Sequence, residues 1–300
     1  RVLRVRAGAP PSGESADRYY AWLRTEFDNI ADDYDHHITD NRMNLLLRNR
    51  SLARLQPLFA GRDPILEVGC GSGMETLPML RAGHQMTVVD ISDRMLDVVR
   101  AKADRAGAAE RLHAVLSRAR DLETLAGPLG PAHFAGAYCT YGALNCEAEL
   151  EPVARGFARL LAPGAPLFLG VYNRWCLFEL VGYGLTLRPE RAFGRRGHPV
   201  RVGGSRFCVD VYAYTPDEVK SAFAPYFVPR ALEGVPVLLP PSDLTIHADR
   251  FARRFETLAG WDARVGSWWP FRSLGDHFLL TLERTTTPVS SSGAPGRAAS

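Results

Sequence analysis

The chain has 300 residues, of which 46% are hydrophobic and 23% charged, enough to bury a sizeable core, so it is neither an intrinsically disordered chain nor a small disulfide-stapled module. The formal net charge is only +3, and all but Lys102 and Lys220 of the 36 basic residues are arginines. Charge alone therefore predicts neither nucleic-acid nor acidic-membrane binding.

The first part of the chain, residues 16–58, carries apolar side chains at three- and four-residue steps, which predicts helices. From residue 64 onward, short apolar runs alternate with helical patterns. The predicted strands are 64–68, 85–89, 112–116, 134–139, 166–172, 228–237 and 277–282, and the predicted helices between them are 74–82, 94–106, 150–161 and 217–223. This alternation predicts an α/β fold with a doubly wound, mostly parallel sheet of seven strands.

Two segments interrupt the alternation, about residues 188–211 and 240–274. We expect these insertions to form a cap over the sheet together with the N-terminal helices. The Ser-, Pro- and Gly-rich ends, residues 1–13 and 285–300, lack large apolar side chains and are predicted to be disordered. Residues 14–284 then form one domain.

The strongest chemical signal is the sequence ILEVGCGSG at residues 65–73, a buried strand that enters a glycine-rich turn. Glycines let a backbone approach a ligand closely and adopt dihedral angles that a Cβ forbids. Asp90 ends the next predicted strand, where a carboxylate can accept two hydrogen bonds from a ribose. The pattern indicates a cofactor that contains a nucleoside.

Two cofactor classes compete for this turn. A dinucleotide fingerprint, GxGxxG, would place its third glycine at position 74, but this chain has Met74 there. Glu67 is also an acid where a nicotinamide-binding strand is usually apolar, and it suits a cofactor with a cationic amino-acid end. The sequence therefore disfavours nicotinamide-dependent redox chemistry.

Four separated motifs, in order, resemble the class I S-adenosylmethionine-dependent methyltransferases. Residues 27–35, FDNIADDYD, are similar to the family's N-terminal segment that folds over the cofactor. EVGCGSG at 67–73 resembles the first motif, and VDISDRML at 89–96 resembles the second. YGALN at 141–145, followed by LAPG at 161–164, resembles the region between strands four and five. The resemblance spans residues 27–172 and implies a Rossmann-like methyltransferase fold.

The resemblance also implies a set of cofactor contacts. Gly69 and Gly71 would hold the methionine end, Glu67 would lie under its ammonium, and Asp90 would bind the ribose hydroxyls. Ile91 and Met95 would enclose the adenine. The complete set of predicted S-adenosylmethionine-binding residues is Tyr34, Glu67, Gly69, Cys70, Gly71, Asp90, Ile91, Met95, Ala119 and Thr140. The sequence departs from the family at Arg118, where an acid often contacts adenine, and at Ala135, which replaces an aspartate. The adenine contact then falls to the backbone around Ala119 or to Asp121.

Catalytic candidates must lie above the carboxyl ends of the strands. In this family the last strand runs antiparallel, which would bring Asp276 and His277 to that side, and histidine is a suitable general base. His247, in the second insertion, is the rival base, and His36 and His37 come third. Tyr172, at the end of strand five, is a further catalytic candidate. Predicted substrate-binding residues are Tyr141, Asn145 and Asn173.

The predicted function is methyl transfer from S-adenosylmethionine, giving S-adenosylhomocysteine, to an O, N or C atom of a small molecule, consistent with secondary metabolism. The alternative is a cyclase or binding protein that retains the cofactor without methylating. The five cysteines form no CxxC and no zinc-spaced pair, so we expect no metal and a cytoplasmic location. We expect no nucleic-acid or membrane partner, and a homodimer is compatible with the sequence.

Overall fold

The computed structural model describes residues 14–196, 199–203, 208–241 and 254–286. Its strands are β1 (Ile65–Val68), β2 (Met86–Asp90), β3 (Leu112–Leu116), β4 (Gly136–Cys139), β5 (Pro166–Tyr172), β6 (Val200–Gly203), β7 (Cys208–Val211), β8 (Phe227–Val235) and β9 (His277–Arg284). Its helices are α1 (Glu14–Ile30), α2 (Tyr34–Thr39), α3 (Arg42–Phe59), α4 (Thr76–Arg81), α5 (Asp93–Arg105), α6 (Ala126–Leu129), α7 (Glu151–Leu160), α8 (Leu177–Leu185), α9 (Pro189–Ala192), α10 (Pro216–Phe223) and α11 (Phe255–Val265). The elements that the sequence predicts lie within a few residues of their predicted bounds, whereas no separate bounds are predicted for β6, β7, α6, α8, α9 and α11.

Seven strands form one sheet in the order β3-β2-β1-β4-β5-β9-β8. The first five strands pair in parallel, whereas β9 runs antiparallel to both β5 and β8. The predicted doubly wound, mostly parallel sheet of seven strands is confirmed. The antiparallel pairing places His277 opposite Tyr172, so the start of β9 lies beside the carboxyl end of β5, as expected.

The central strands are mostly apolar because both faces of the sheet are covered. Every residue of β1, β2, β4 and β5 is buried. Along β1, Leu66 and Val68 belong to one core and Ile65 belongs to the other. The carboxyl ends of these parallel strands therefore meet at one edge, which is the edge at which ligands bind in open α/β sheets.

Two helices near this edge begin with side-chain caps. Asn41 accepts hydrogen bonds from the backbone N–H groups of Met43 and Asn44 at 2.9 and 3.3 Å, and so begins α3. Ser92 accepts from the N–H of Met95 at 3.1 Å and begins α5 directly after Asp90. Such caps satisfy N–H groups that the first helical turn leaves unpaired, and they fix where each strand-to-helix connection turns.

The first predicted insertion, 188–211, contains α9 and the hairpin formed by β6 and β7. Arg201 pairs with Asp210 across the hairpin at 3.6 Å, while Val202 is paired with Val209. Because side chains alternate between the faces of a strand, the valines share one face and the charged pair lies on the other. The valine face turns toward the core.

The described part of the second insertion, 254–274, does not take the predicted cap position. Phe255 and Ala259 of α11 pack with Met43 of α3 and with Leu239. Asp262 accepts hydrogen bonds from the backbone beyond β8. Among the described residues of this insertion, none lines the cavity at the sheet edge, because α11 closes a small satellite core.

The predicted disordered tails lie outside the described residues, apart from positions 285 and 286. The backbone N–H of Thr285 donates to the carbonyl oxygen of Tyr226 at 2.9 Å, so the ordered chain continues past the predicted boundary at 284. Within the described ranges, none of the helices combines the length and the apolar character that a membrane crossing requires.

Candidate functional site

A cavity of about 380 Å³ opens at the carboxyl ends of the parallel strands, between the sheet, the N-terminal helices and the β6–β7 hairpin. This volume lies within the range of small-molecule pockets. Ten of the residues predicted for the site line this cavity: Tyr34, Gly69, Gly71, Asp90, Ile91, Ala119, Tyr141, Asn145, Tyr172 and His277.

The glycine turn forms part of the cavity floor. Gly69 and Gly71 adopt φ angles of +76° and +50°, which non-glycine residues seldom adopt. The N–H of Gly69 donates to the carbonyl oxygen of Val89 at 2.7 Å, which ties the turn to β2. A Cβ on Gly71 would lie 3.5 Å from the Tyr34 ring. This distance is an ordinary van der Waals contact, so it is the φ angle that favours glycine at position 71.

Asp90 lies at the end of β2 and is buried. Its carboxylate accepts from the N–H of Gly71 at 2.8 Å and from the N–H of Ser92 at 2.9 Å. Burial raises the pKa of Asp90 to about 6, although these N–H donors oppose the shift. A carboxylate can accept about four hydrogen bonds, so acceptor capacity remains for a ligand's hydroxyl groups.

The cavity end beyond Asp90 is aromatic and apolar, with a cation at its rim. Ile91 and Ala119 line it from the sheet side, and Phe27 lines it from α1. Arg118, at the position where the sequence departs from the family, stacks 5.0 Å above the centre of the Tyr20 ring. Its guanidinium is held by Asp17 and Asp121. Asp121 is thus engaged by Arg118 and does not line the cavity.

Arg48 of α3 is a cavity residue that sequence reasoning missed. It is only 9% exposed and its guanidinium binds the Glu75 carboxylate. It also lies 5.1 Å from the centre of the Tyr141 ring. Because the chain is rich in arginine, nothing in the sequence pattern distinguished this one. In the structure it places a buried cation beside the glycine turn.

His277 and Tyr172 line the same cavity. The Nδ1 atom of His277 lies 3.1 Å from a carboxylate oxygen of Asp276, and its ring lies edge-on to those of Tyr141 and Tyr172 at 5.7 and 5.3 Å between ring centres. The Asp276 contact favours a proton on Nδ1 and leaves Nε2 as an acceptor. This is the arrangement of an oriented general base.

Tyr141 stands out by its backbone. Its φ of +50° is unusual for a non-glycine residue, and its hydroxyl is engaged with Ser51 and with the carbonyl oxygen of Leu47. Contacts to α3 therefore hold a strained residue of the loop after β4 in place. Strain of this kind concentrates at ligand sites.

Glu67 does not occupy the position expected from the family resemblance. It faces away from the cavity, and its carboxylate accepts from the hydroxyls of Thr76 and Tyr138 at 2.6 and 2.8 Å. Burial, followed by the nearby Glu75 carboxylate, raises the pKa of Glu67 to about 8. Because Glu67 does not line the cavity and its carboxylate is engaged by these two hydroxyls, its expected place under the ammonium of the cofactor is corrected.

Four further predicted residues do not line the cavity: Cys70, Met95, Thr140 and Asn173. Met95 is fully buried in the core, so its position corrects the expected adenine contact. The Asn173 amide donates to the carbonyl oxygens of Trp175, Ser273 and Gly275, which is a structural role. His247 lies outside the described residues.

Asn145 reaches the cavity, but its amide is committed to the backbone. It accepts from the N–H of Tyr172 at 2.9 Å and donates to the carbonyl oxygens of Tyr172 and Tyr212. Asn145 therefore joins the end of β5 to the segment after β7. This corrects its assignment as a residue whose side chain binds substrate.

Glu147 is a second cavity residue that the sequence did not reveal. It is 3% exposed, it accepts from the Tyr20 hydroxyl, and burial raises its pKa to about 7 despite that hydrogen bond. It lies two residues beyond the motif at 141–145, where no expected pattern marked it. Among the described residues, no group of three His, Cys, Asp or Glu side chains could hold a metal ion.

Known proteins resemble this chain in sequence and in fold. Residues 65–164 match the family model of a methyltransferase domain. The chain is 34% identical over 128 residues to the ubiquinone biosynthesis O-methyltransferase of Xanthomonas axonopodis pv. citri (strain 306). The aligned segment covers 41% of this chain and 47% of that protein. The chain thus spans about half the length of this curated relative.

Two solved structures share the fold. The CcbJ methyltransferase from Streptomyces caelestis matches 87% of this chain and 98% of its own, with a TM-score of 0.57 and 16% identity. The 1,6-didemethyltoxoflavin-N1-methyltransferase of Burkholderia thailandensis, solved with its substrate and S-adenosylhomocysteine, matches 96% of this chain and 99% of its own, with a TM-score of 0.56 and 18% identity. Residues 65–164 of this chain therefore match a methyltransferase domain, and the chain has the fold of these two methyltransferases.

Proposed function

We propose that this protein transfers a methyl group from S-adenosylmethionine to a hydroxyl oxygen of a small, largely apolar molecule. The observation that carries this proposal is one cavity with two kinds of site, the glycine turn with Asp90 and the Asp276–His277 pair. In the sheet, β2 and β9 are four strand positions apart, about 19 Å at the usual spacing. This distance is long enough for a nucleoside cofactor and an acceptor molecule that lie one after the other along the cavity.

The cavity residues fit S-adenosylmethionine at the Asp90 end. Asp90 would accept from the ribose hydroxyls, and Gly69 and Gly71 would face the aminoacyl end. Arg48 supplies the cation for its carboxylate, since arginine pairs well with carboxylates in buried sites. The apolar surface of Ile91 and the rings of α1 suit the adenine. Glu67 has no part in this arrangement.

The acceptor would lie under the β6–β7 hairpin. Val202, Val209 and Val211 of this hairpin line the cavity, and apolar walls favour an apolar molecule and exclude water. Tyr141 and Tyr172 flank His277 with their ring edges. A planar hydroxylated molecule suits these surroundings. The name of the matched Xanthomonas relative, an O-methyltransferase, supports an oxygen acceptor.

The residues of this chain supply alignment and a base. When bound, S-adenosylmethionine supplies the methyl group: its carbon–sulfur bond breaks with the electron pair left on sulfur, while an oxygen–carbon bond forms. The acceptor hydroxyl loses its proton to Nε2 of His277, because Nδ1 is engaged by Asp276. The Asp276 carboxylate then stabilises the imidazolium. General-base catalysis of this kind contributes roughly 10²- to 10⁴-fold in rate.

Calorimetry and a turnover assay test the function together. We expect S-adenosylhomocysteine to bind the wild-type protein, and S-adenosylhomocysteine to be released from S-adenosylmethionine with small hydroxylated aromatics, beginning with catechol. His277→Ala should bind the product normally but turn over about 10²- to 10⁴-fold more slowly. His113→Ala, on the exposed face of the edge strand β3, is the matched control and should retain wild-type turnover.

The assay also separates the other readings of the site. A neutral amine needs little help from a general base. With o-phenylenediamine in place of catechol, similar rates for the wild type and His277→Ala would therefore indicate an N-methyltransferase. Intact S-adenosylmethionine retained stoichiometrically, with no product released for any acceptor, would support the cofactor-retaining alternative. A lack of binding of either cofactor form would overturn the proposed function.

A further inference from the structure

A buried charged cluster lies behind His277, and it includes a residue far away in sequence. Arg195 belongs to the helical turn Gly194–Arg196 in the first insertion and is only 3% exposed. Its partners are Asp276, which is fully buried, and Glu179 of α8. Nothing in the sequence pattern connects this arginine with the last strand.

All three guanidinium nitrogens of Arg195 are used. Nη2 lies 2.6 Å from one oxygen of Asp276, and Nε and Nη2 each lie 2.8 Å from Glu179. Nη1 donates to the backbone carbonyl oxygens of Asn173 and Asp276, both at 3.1 Å. A planar guanidinium with this many partners has one orientation, so it fixes the Asp276 carboxylate.

The second oxygen of Asp276 is the one that contacts Nδ1 of His277. One carboxylate therefore joins the guanidinium to the imidazole. Burial alone would raise the pKa of Asp276, but the charge of Arg195, with the hydrogen bonds from His277 and Arg195, outweighs burial and holds that pKa well below its usual range. Asp276 is thus an anion that can only accept, which requires the proton of a neutral His277 to reside on Nδ1.

Arg195 also touches the cavity wall. Its guanidinium carbon lies 4.3 Å from the centre of the Tyr172 ring, and that ring is the edge-on neighbour of His277. Along the chain, β6 begins five residues after Arg195, and its Val202 lines the same cavity. The cluster therefore connects the base, the cavity wall and the insertion that covers the cavity.

We propose that Arg195 is a positioning residue that holds Asp276, and through it the Nδ1–H form of His277, so that base alignment depends on the first insertion being folded against the sheet. This role rests on the proposed function, since it assumes that His277 accepts the proton. A buried ion pair is in itself weak evidence for stability, whereas the shared carboxylate gives this one a chemical consequence.

Nitrogen NMR of the histidine side chains reports the position of the proton without requiring turnover. The His277 signals are assigned from their absence in His277→Ala. In the wild type we expect the Nδ1–H form, and in Arg195→Met we expect a mixture of the two neutral forms. Arg201→Met removes an exposed arginine of the same insertion, on the hairpin face opposite the valines, and should leave the wild-type spectrum unchanged.

Kinetics with S-adenosylmethionine and an accepted hydroxyl substrate supply the second measurement. Arg195→Met should lower kcat about 10²-fold, the loss that a misplaced catalytic group typically produces, with little change in KM for S-adenosylmethionine. Arg195→Lys should recover part of kcat, because it restores a cation but not the fork that spans two carboxylates. In the His277→Ala background, Arg195→Met should cause no further loss of kcat.

The outcomes distinguish this role from the proposed function. Undiminished turnover in His277→Ala would overturn the base, and with it the proposed function. Slow turnover in His277→Ala combined with a wild-type spectrum and kcat in Arg195→Met would overturn only the role of Arg195. If Arg195→Met fails to fold, Arg195→Lys decides the question, because wild-type His277 signals and kcat in that variant would equally refute positioning by the guanidinium.

Discussion

Gly69 and Ala143 approach each other so closely that a Cβ built on Gly69 would lie 2.2 Å from the Cβ of Ala143. Gly69 follows β1, and Ala143 lies in the loop after β4, the neighbouring strand. Both residues line the cavity. The glycine at the start of the turn is therefore required both by its φ angle and by the loop that packs against it.

Gly69→Ala should be more destabilising than an alanine introduced at an equally unusual φ in open space. Gly61 offers this control, since its φ is +71° against +76° at Gly69, and nothing lies within 4 Å of its Cβ position. We expect Gly61→Ala to cost about 1 kcal/mol of unfolding free energy. Gly69→Ala should cost about 1 to 3 kcal/mol more because of the overlap.

Urea denaturation of both variants measures the difference, and Ala143→Gly provides the internal check. In the double variant Gly69→Ala/Ala143→Gly, the overlapping Cβ of residue 143 is absent. This variant should recover the additional loss of unfolding free energy but not the loss caused by the φ angle. Equal destabilisation in Gly61→Ala and Gly69→Ala would show that the loop after β4 yields easily, contrary to the packing described here.

Asp90→Ala should weaken binding of S-adenosylhomocysteine by about 1.5 to 3 kcal/mol, the range for hydrogen bonds to a charged group. Asp90 also holds the N–H groups of Gly71 and Ser92, so a fall in thermal stability should accompany the loss. Asp97→Ala, at an exposed ion pair on α5, is the control. Calorimetry that gave the same dissociation constant for Asp90→Ala and wild type would remove the ribose from this position.

The fold was predictable because its signals are local. Each buried parallel strand is a continuous apolar run, and the glycines and Asp90 come directly after two of these strands. The hairpin of β6 and β7 was less visible, since it lies in an insertion that interrupts the alternation. The residues that face this hairpin across the cavity are brought there by the tertiary structure. The periodicity of apolar residues in the sequence carries no information about such contacts.

The site was predicted less completely, for reasons that individual residues show. Glu67 alternates with Leu66 and Val68 on β1, and the sequence does not say which face carries the cavity. Arg48 lies on a helix whose approach to the glycine turn depends on packing against the sheet. Asn145 looked available for a ligand because nothing in the sequence reveals that backbone groups 27 and 67 residues away use its amide.

The pH dependence of stability tests the placement of Glu67. Its pKa rises from an ordinary value of 4.5 to about 8 in the folded protein, so between these values the folded state holds a proton that the unfolded state has released. Stability must then fall as pH rises from about 5 to about 8. Asp90 and Glu147, whose pKa values are raised to about 6 and about 7, contribute in the same direction.

Glu67→Gln should therefore flatten this decline. The amide keeps an oxygen to accept from Thr76 and Tyr138 but cannot ionise, so the variant should gain stability relative to wild type at pH 8 and differ little at pH 5. One pKa unit corresponds to about 1.4 kcal/mol, so the gain at pH 8 is of the order of a few kcal/mol. Thermal unfolding at the two pH values measures it, with Glu110→Gln as an exposed control. A wild-type pH slope in Glu67→Gln would mean that Glu67 is ionised in the fold, and its role as the ammonium partner would have to be reconsidered.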